Sequence, residues 1–409
     1  MSAPYTPISL ISTSSPKTAV PGSLLALFAL AFALLSLFFG MALPPEADAE
    51  ATGMELAVTA ALQHSLPHNL PVWRSSIFGA IALLLMVLCS FRALKSSGRL
   101  VSLALAVGSL IAGGLWLLLP PARGDAVGAA GFWLGAMALA FLAVVSVQRN
   151  AQFDGNRSDE WLAALIAGLW VLFFWQLLVT ALGVPRVILP APASIVLALM
   201  EHSAVLLRDF NQTVVKSVVT GWLMGCGLGF AVAIAIDRQP FLQRGLLPIA
   251  ALTSTVPLVG VAPIMVMWFG FDWSSKAAVV VLMTFFPMLV STLAGLKASD
   301  KLEQELMYTY AAGYRRCLLD LRLPAAFPFI VGAMKVNASL ALIGAIVAEF
   351  FGSPTSGLGF RISTEAARMN MSLVWGAIVV SAVTGSVAYA LLVRLERRIA
   401  FWHPSVRGR

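Results

Sequence analysis

The sequence contains very little charge. Aspartate, glutamate, lysine and arginine together make up 11% of its 409 residues, whereas hydrophobic residues make up 59%. Soluble globular domains average about 25% charged residues, because charge covers much of their surface. Most of the apolar surface of this chain must therefore face lipid. This excludes a cytosolic enzyme, a nucleic-acid-binding domain and a disordered scaffold.

Two further absences exclude particular chemistries. The three cysteines, Cys89, Cys226 and Cys317, fall in or beside apolar runs without C-x-x-C spacing, so the sequence predicts neither a disulfide framework nor a zinc site. No G-x-x-x-x-G-K-[ST] stretch occurs, so we expect that the chain lacks a phosphate-binding loop and does not hydrolyse ATP itself.

Two histidines offer one candidate metal site. His64 and His68 are four residues apart and would share one face of a helix, but Pro67 lies between them and breaks that helix. A solvated external loop over residues 44–75 is therefore the favoured interpretation, and we expect no metal site.

Long apolar runs predict a polytopic all-α membrane protein. A helix needs about 20 mostly apolar residues to cross a bilayer. We identify ten candidate spans: 23–43, 76–91, 100–119, 126–147, 161–182, 213–236, 246–267, 277–296, 327–348 and 372–392. The first has a second interpretation as a secretory signal, because Lys17 precedes it. It is longer than an ordinary signal core, so we expect it to be retained.

The basic residues predict the orientation of these spans. Cytoplasmic loops of membrane proteins carry the excess of lysine and arginine. With the N-terminus inside and ten alternating spans, 18 of the 27 basic residues lie inside, eight lie outside, and Lys335 lies within a span. Both termini are therefore predicted to be cytoplasmic. The net charge of +8 is explained by topology, without nucleic acid.

Polarity divides the chain into four parts. Residues 1–22 are rich in serine, threonine and proline and predict a flexible cytoplasmic tail. Residues 23–147 contain four spans with almost no charged or amide side chain, although such groups mark transport pathways. We therefore expect an N-terminal four-helix membrane extension there. The polar segment 148–160 is predicted to be a cytoplasmic linker, and residues 161–409 contain the other six spans.

The longest predicted cytoplasmic loop between spans, 297–326, alternates charged and apolar residues. Its apolar residues at helical spacing are Leu302, Leu306, Tyr310, Leu318 and Leu321. Gly313 interrupts the run, and Pro324 begins the next span. The pattern predicts two short amphipathic helices at the inner membrane surface. They provide either a docking site for a soluble partner or an ordinary surface-lying loop.

At this loop the sequence resembles the permease subunits of ATP-binding-cassette (ABC) importers. The family motif is E-A-A, three residues, G, nine residues, I-x-L-P. Anchored on Pro324, Glu305 takes the glutamate position, Leu321 the isoleucine position and Leu323 the leucine position. Leucine and methionine replace the two alanines, and Ala311 stands where glycine is common, so the geometry of the turn is left open.

Other stretches resemble the nitrate, sulfonate and taurine branch of that family. They are L-P-A-P at 189–192, L-P-A-A-F-P at 323–328, A-S-L-A-L-I-G-A-I-V-A-E-F-F-G at 338–352 and S-G-L-G-F-R-I at 356–362. The resemblance covers residues 160–400 and implies that the last six spans form a type I permease core, 161–409. The tail 396–405 is most similar to pyrimidine-precursor and riboflavin-type members.

The resemblance implies partners and a set of coupling residues. The partners are cytoplasmic ABC ATPases that bind ATP and magnesium, an extracytoplasmic substrate-binding protein and a second permease copy in a homodimer. This chain would itself bind no cofactor and act as a transporter subunit in the bacterial inner membrane. The residues that would contact the ATPase are Glu305, Ala311, Ala312, Gly313, Arg315, Arg316, Asp320, Leu323 and Pro324. For Arg315 and Arg316, a role as solvated surface charges is as well supported as contact with the ATPase, because exposed ion pairs are weak.

Polar residues within the last six spans are candidates for the pathway. Lys335 either snorkels to the inner surface or lines the inner mouth together with Asn337. Glu349 either forms part of an external gate or binding-protein contact, or pairs with Arg361 or Arg368.

Two prolines mark a second candidate stretch of the pathway. Pro257 and Pro263 free backbone carbonyls that, with Ser254 and Thr255, would accept hydrogen bonds from a solute, unless they only kink the helix.

Two segments outside the membrane are amphipathic. By their position, residues 183–210 and 353–371 are expected to be gating helices on which the binding protein docks.

Two rival classes are less favoured. An ion-coupled secondary transporter would show paired intramembrane carboxylates or related halves, and a membrane enzyme would show clustered histidine, aspartate or serine. Neither pattern occurs in the spans. For the solute, the tail at 396–405 favours a small heterocycle over a sulfonate- or nitrate-like anion, although this tail lies far from any pathway.

Overall fold

The computed structural model describes residues 22–38, 40–42, 69–71, 77–95, 98–119, 130–152, 157–239, 241, 245, 257–352 and 355–399. Nearly all of these residues are helical. They belong to two compact units, residues 1–185 and residues 186–409. The predicted tail 1–22, apart from Gly22, lies outside the described residues, as do His64, Pro67 and His68.

The described part of the first unit contains five helices and one short pair of strands. The helices are α1 (Gly22–Phe38), α2 (Ile77–Lys95), α3 (Arg99–Leu117), α4 (Ala130–Ala151) and α5 (Arg157–Ala181). The strands β1 (Gly40–Ala42) and β2 (Asn69–Pro71) pair antiparallel, with Met41 opposite Leu70. The first predicted span, 23–43, is therefore too long. Helix α1 ends before it because Gly40 is a poor helix former and two prolines follow at 44 and 45.

The core of this unit includes α5, which the sequence assigned to the C-terminal part. Trp170 and Phe173 of α5 are buried in one cluster with residues of α1 to α4. The Trp170 Nε1 donates a hydrogen bond to the Ser146 hydroxyl of α4 at 3.1 Å. The predicted linker 148–160 is also too long, because α4 extends to Ala151 and α5 begins at Arg157. The assignment of residues 161–409 to one permease core stays a prediction.

In the described residues, the second unit contains ten helices, and two π-helical turns each join a pair of neighbouring helices. They are α6 (Pro192–Glu201), α7 (Ser203–Phe210), α8 (Thr220–Arg238), α9 (Leu258–Phe269), α10 (Trp273–Leu296), α11 (Lys301–Thr309), α12 (Tyr314–Cys317), α13 (Leu323–Gly352), α14 (Leu358–Ala367) and α15 (Met371–Ile399). The π-helical turns Asn211–Val219 and Leu318–Arg322 make 203–238 and 314–352 continuous helical runs.

The helices confirm the predicted polytopic all-α fold. Eight helical stretches in the described part of the chain are long and apolar enough to cross a membrane, and each overlaps one predicted span. The first and seventh predicted spans overlap the shorter apolar helices α1 and α9, and residues 246–256 of the seventh lie outside the described residues. Helices α6 and α14 lie in the predicted external segments. Helix α7 is different, because it continues into the membrane-spanning run instead of forming a separate helix.

A row of glycines allows α8 to pack closely against α10. Gly221, Gly225 and Gly229 are spaced four residues apart and therefore share one face of α8. A Cβ atom at Gly229 would lie 2.6 Å from the Phe285 carbonyl oxygen of α10. Small residues at such spacing let membrane helices approach until their backbones touch. The spacing was visible in the sequence, but its partner helix was not.

Candidate functional site

Helix α11 is the exposed part of the loop that the sequence predicted as a docking site. Asp300 begins the helix, because its carboxylate accepts a hydrogen bond from the Leu302 backbone N–H at 3.3 Å. No residue of α11 is buried, and Leu302 and Tyr308 are 74% and 86% exposed. The structure thus confirms two short helical elements here, α11 and α12, and leaves the apolar side chains of α11 uncovered. We call residues 300–322 the coupling segment.

The turn between α11 and α12 places an alanine in a left-handed conformation. Ala311 has φ 51°, whereas Gly313 has φ −68° and begins α12 in an extended conformation. The Ala312 N–H donates to the Met307 carbonyl at 3.0 Å, and the Ala311 N–H donates to the Tyr308 carbonyl at 2.9 Å. These two bonds form a Schellman motif, which usually has glycine at the position of Ala311. Gly313 therefore does not take over the conformational role of the family glycine.

The remaining predicted coupling residues lie along the same segment. Glu305, Arg315 and Arg316 are exposed, and Arg316 contacts Asp320 at 3.8 Å with both side chains mostly in solvent. An ion pair of this kind contributes about 0–1 kcal/mol. Leu323 and Pro324 are half-buried in the first turn of α13. Most of the set is therefore exposed along one continuous stretch of chain, and its last two residues are half-buried.

An ion pair that the sequence reading missed ties this segment to the membrane-spanning helices. Both Arg322 terminal nitrogens donate to the Asp237 carboxylate, at 2.7 and 2.8 Å, and Arg322 Nε donates to the Leu296 carbonyl at 3.0 Å. The Tyr314 hydroxyl also donates to Asp237, at 3.0 Å. We call Asp237, Arg322 and Tyr314 the Asp237 clamp. Asp237 lies at the C-terminal end of α8, where the helix dipole disfavours an acid. An acid at this position of the sequence was the available signal that Asp237 needs a basic partner.

Lys335 and Asn337 bond to different helices. Lys335 donates to Glu396 of α15 at 2.8 Å, with both side chains more than four-fifths buried. Asn337 is fully buried, and its amide donates to the Thr284 carbonyl of α10 at 2.8 Å and to the Cys226 sulfur of α8 at 3.3 Å. The two side chains face different neighbours, because residues two apart on a helix point about 200° apart. Their role in lining the inner mouth of the pathway stays a prediction.

Glu349 belongs to a buried polar network at the end of α13. Its carboxylate accepts hydrogen bonds from the Thr213 hydroxyl and from the Gly359 backbone N–H, both at 2.7 Å. The Thr213 oxygen in turn accepts the Leu358 N–H at 2.7 Å. These acceptors satisfy N–H groups at the N-terminus of α14, where the helix dipole favours negative charge. We call Glu349, Thr213 and the Gly357–Gly359 turn the Glu349 network.

The predicted pairing of Glu349 with Arg361 or Arg368 is wrong for the part of the chain that the structure describes. Arg361 donates to Asp209 of α7 at 2.7 Å and lies 3.6 Å from Glu365. Arg368 instead contacts Glu365 at 3.2 Å. The hydrogen bond to Asp209 raises the pKa of the Arg361 guanidinium. Arg361 points to Asp209 because α7 packs against α14, and one sequence cannot reveal that contact.

Lys276 is a second buried charge that the sequence reading missed. It was counted among the external basic residues, yet its side chain is fully buried near the start of α10. The Lys276 ammonium donates to the backbone carbonyls of Phe271, Asp272 and Gly352, the first two at 2.6 and 3.0 Å. It thereby satisfies carbonyl groups at the C-terminal end of α13 and in the turn before α10.

Two cavities lie beside these elements. One of about 440 Å³ is lined by Glu349, several phenylalanines and the hydroxyls of Ser363 and Thr364. Another of about 430 Å³ lies between α8, α9 and α10 and is apolar, with two tryptophans in its wall. The candidate acceptors Ser254 and Thr255 lie outside the described residues.

The two prolines of the seventh predicted span have different positions. Pro257 precedes α9, and Pro263 lies inside α9.

Comparison with known proteins identifies the family. Residues 225–401 match the family described as binding-protein-dependent transport system inner membrane component. The chain is 32% identical over 216 residues to a probable ABC transporter permease protein of Haemophilus influenzae, which is 53% of this chain and 87% of the relative.

Two other relatives carry names that include a solute. The chain is 28% identical over 247 residues to the formylaminopyrimidine transport permease protein ThiX of Halalkalibacterium halodurans, covering 60% of this chain and 98% of the relative. It is also 28% identical over 256 residues to the putative aliphatic sulfonates transport permease protein SsuC of Bacillus subtilis, covering 62% and 92%. The residues matched by the family, 225–401, include the coupling segment described above. The chain therefore belongs to the binding-protein-dependent transport family of inner-membrane ABC permeases.

Proposed function

We propose that this chain is the permease subunit of an ATP-driven importer. The observation that carries the proposal is the coupling segment, whose apolar side chains on α11 are uncovered. Leu302, Leu306 and Tyr308 are each more than half exposed at a position predicted to be cytoplasmic. Apolar surface of this kind marks a protein or membrane interface, and the charged residues that alternate with it favour a soluble protein partner. A cytoplasmic ABC ATPase that binds ATP and magnesium is the proposed partner, with Glu305 and the 311–313 turn in its groove.

The proposed mechanism is alternating access in a homodimer. Two permease copies and two ATPase subunits would switch between an inward-facing and an outward-facing arrangement, and ATP binding would shift the population between them. An extracytoplasmic binding protein would deliver the solute. The Glu349 network supports this arrangement, because it holds α14 against α13 and against the π-helical turn that follows α7 through buried hydrogen bonds. Such a surface suits the docking of the binding protein on external helices.

The proposed orientation has both termini in the cytoplasm. The distribution of basic residues supports it, since 18 of 27 fall on the inner side. The coupling segment and the C-terminal end of α15, which carries Arg397 and Arg398, then lie on the same side.

The proposed solute is a small heterocycle, with a sulfonate- or nitrate-like anion as the second candidate. The apolar cavity beside α9 supports a heterocycle, because Trp268 and Trp273 offer flat faces for stacking. Among the relatives, one is named for formylaminopyrimidine and another for riboflavin. Others are named for aliphatic sulfonates and taurine, and they support the second candidate.

Co-purification in mild detergent tests the proposal. We expect an ABC ATPase to be retained by the wild-type chain and lost when Glu305 and Gly313 are changed to arginine, because a bulky charge would block the groove. Arg398→Glu is the matched control, since this exposed basic residue lies on α15, outside the coupling segment. If the wild-type chain purifies alone and uptake continues after ATP depletion, the alternative of an ion-coupled secondary transporter replaces the importer.

A further inference from the structure

The Asp237 clamp joins four elements that are separate in sequence. Asp237 ends α8, Leu296 ends α10, Tyr314 begins α12 and Arg322 directly precedes α13. The bond from Arg322 to Asp237 spans 85 residues. A single guanidinium therefore holds two helix C-termini beside the coupling segment.

The geometry of the clamp is that of a strong interaction. Arg322 and Asp237 form two parallel charge-assisted hydrogen bonds, and the third Arg322 bond goes to a helix-terminal carbonyl. Side-chain exposure is 18% for Arg322 and 7% for Asp237, so water competes little for these groups. Paired, bidentate guanidinium–carboxylate contacts are stronger and more directional than single hydrogen bonds.

The clamp contrasts with the other charges of the coupling segment. Arg315 and Arg316 are exposed, and the contact of Arg316 with Asp320 is open to solvent. Such flexible surface charges do not hold one element in a fixed position relative to another. Within the described residues of the coupling segment, Arg322 is the basic side chain that is bonded to membrane-spanning helices.

We propose that Asp237 and Arg322 are positioning residues that transmit movement of the coupling segment to the C-terminal ends of α8 and α10. When an ATPase displaces the segment, the clamp moves the ends of α8 and α10 with it. Without the clamp, the ATPase still binds α11, but its movement is not passed on. This inference rests on the proposed function, because it requires that an ATPase binds the coupling segment.

Hydrogen–deuterium exchange of the purified permease–ATPase complex tests the clamp without a known solute. ATP, magnesium and orthovanadate are added to trap the closed ATPase. In the wild-type complex we expect changes in exchange both at the coupling segment and at the ends of α8 and α10. In Asp237→Asn and Arg322→Gln we expect the change in exchange at the coupling segment to remain. The change in exchange at the ends of α8 and α10 should fall by at least about fivefold, which is the lower end of the coupling factors usually found between two sites.

Three further variants separate transmission from loss of stability. Glu396→Gln removes the Lys335–Glu396 ion pair, which has the same 2.8 Å contact and similar burial but lies between α13 and α15. It should retain the full response at α8 and α10. Arg322→Lys keeps the charge and should restore part of the response that Arg322→Gln loses. If Asp237→Asn does not fold, Tyr314→Phe tests the same carboxylate by removing one hydrogen bond, and it should weaken the response at α8.

The outcomes are distinguishable. An unchanged response at α8 and α10 in folded Asp237→Asn or Arg322→Gln overturns the clamp, and so does an equal loss in Glu396→Gln. If Tyr314→Phe has to replace Asp237→Asn, an unchanged response at α8 in Tyr314→Phe overturns the clamp as well. Failure of the wild-type chain to bind any ATPase overturns the proposed function instead.

Discussion

Changing Gly229 to alanine should destabilise the packing of α8 on α10. The new Cβ atom would lie 2.6 Å from the Phe285 carbonyl oxygen and 2.9 Å from the Met288 Cβ atom. These are backbone and near-backbone atoms, so a side-chain rotation cannot relieve the overlap. The two helices would have to move apart along their contact.

Gly227 provides the matched control on the same helix. No heavy atom of the described structure lies within 4 Å of a Cβ atom built there. Alanine is more stable than glycine inside a helix by about 0.5–1 kcal/mol, and both substitutions gain that amount. Overpacking a tight contact costs about 1–3 kcal/mol. Gly229→Ala should therefore lose up to about 2 kcal/mol in the free energy of unfolding, whereas Gly227→Ala should gain slightly.

Equilibrium unfolding in mixed detergent micelles measures this difference. The two variants are compared with the wild-type chain at the same detergent composition, since membrane-protein stability depends on it. Gly229→Ala should unfold at lower denaturing detergent than wild type, and Gly227→Ala at equal or higher. Equal or greater stability of Gly229→Ala relative to Gly227→Ala would refute the close approach of α8 and α10.

Two further predictions concern the coupling segment and the cluster around α14. Ala311→Gly should stabilise the turn by about 1 kcal/mol, because a left-handed alanine costs about 1–2 kcal/mol, and Ala312→Gly should not. Slower amide exchange across the turn in the first variant alone is the expected result, and equal exchange contradicts the turn geometry. Arg361→Ala should cost about 3–5 kcal/mol by leaving buried Asp209 unpaired, whereas Arg368→Ala, at a side chain that is 72% exposed, should cost less than about 1 kcal/mol. Thermal unfolding compares this pair, and similar losses would contradict the burial of Asp209.

The helical map could be predicted because it depends on local composition. Each spanning helix needs only a run of apolar residues of sufficient length, and that run is visible in the sequence. The two short helices of the coupling segment were predictable for the same reason, from helical spacing around Gly313. The ends of elements were less predictable. Helix α4 continued to Ala151 through residues that looked like a linker, because polar residues do not by themselves end a helix.

The polar partners could not be predicted, because they come from helices that are far apart in sequence. Asp209 and Arg361 are separated by 152 residues, and Asp237 and Arg322 by 85. A single sequence shows that a charge lies in or near a span, but not which helix packs against it. Glu349 was therefore paired with the wrong arginines, and the full burial of Lys276 was not predicted.

The sequence by itself determined that this protein is a polytopic helical membrane protein, with a stretch that resembles the coupling motif of the family. Its scarcity of charge leaves most of its surface to lipid, and its motifs carry the family resemblance. Only the tertiary structure decided how the charges are used. Packing brings Asp237 and Arg322 together and places the Glu349 carboxylate beside the first N–H groups of α14. Buried polar groups in a low-dielectric interior require partners, and only the packing of helices determines which partners are within reach.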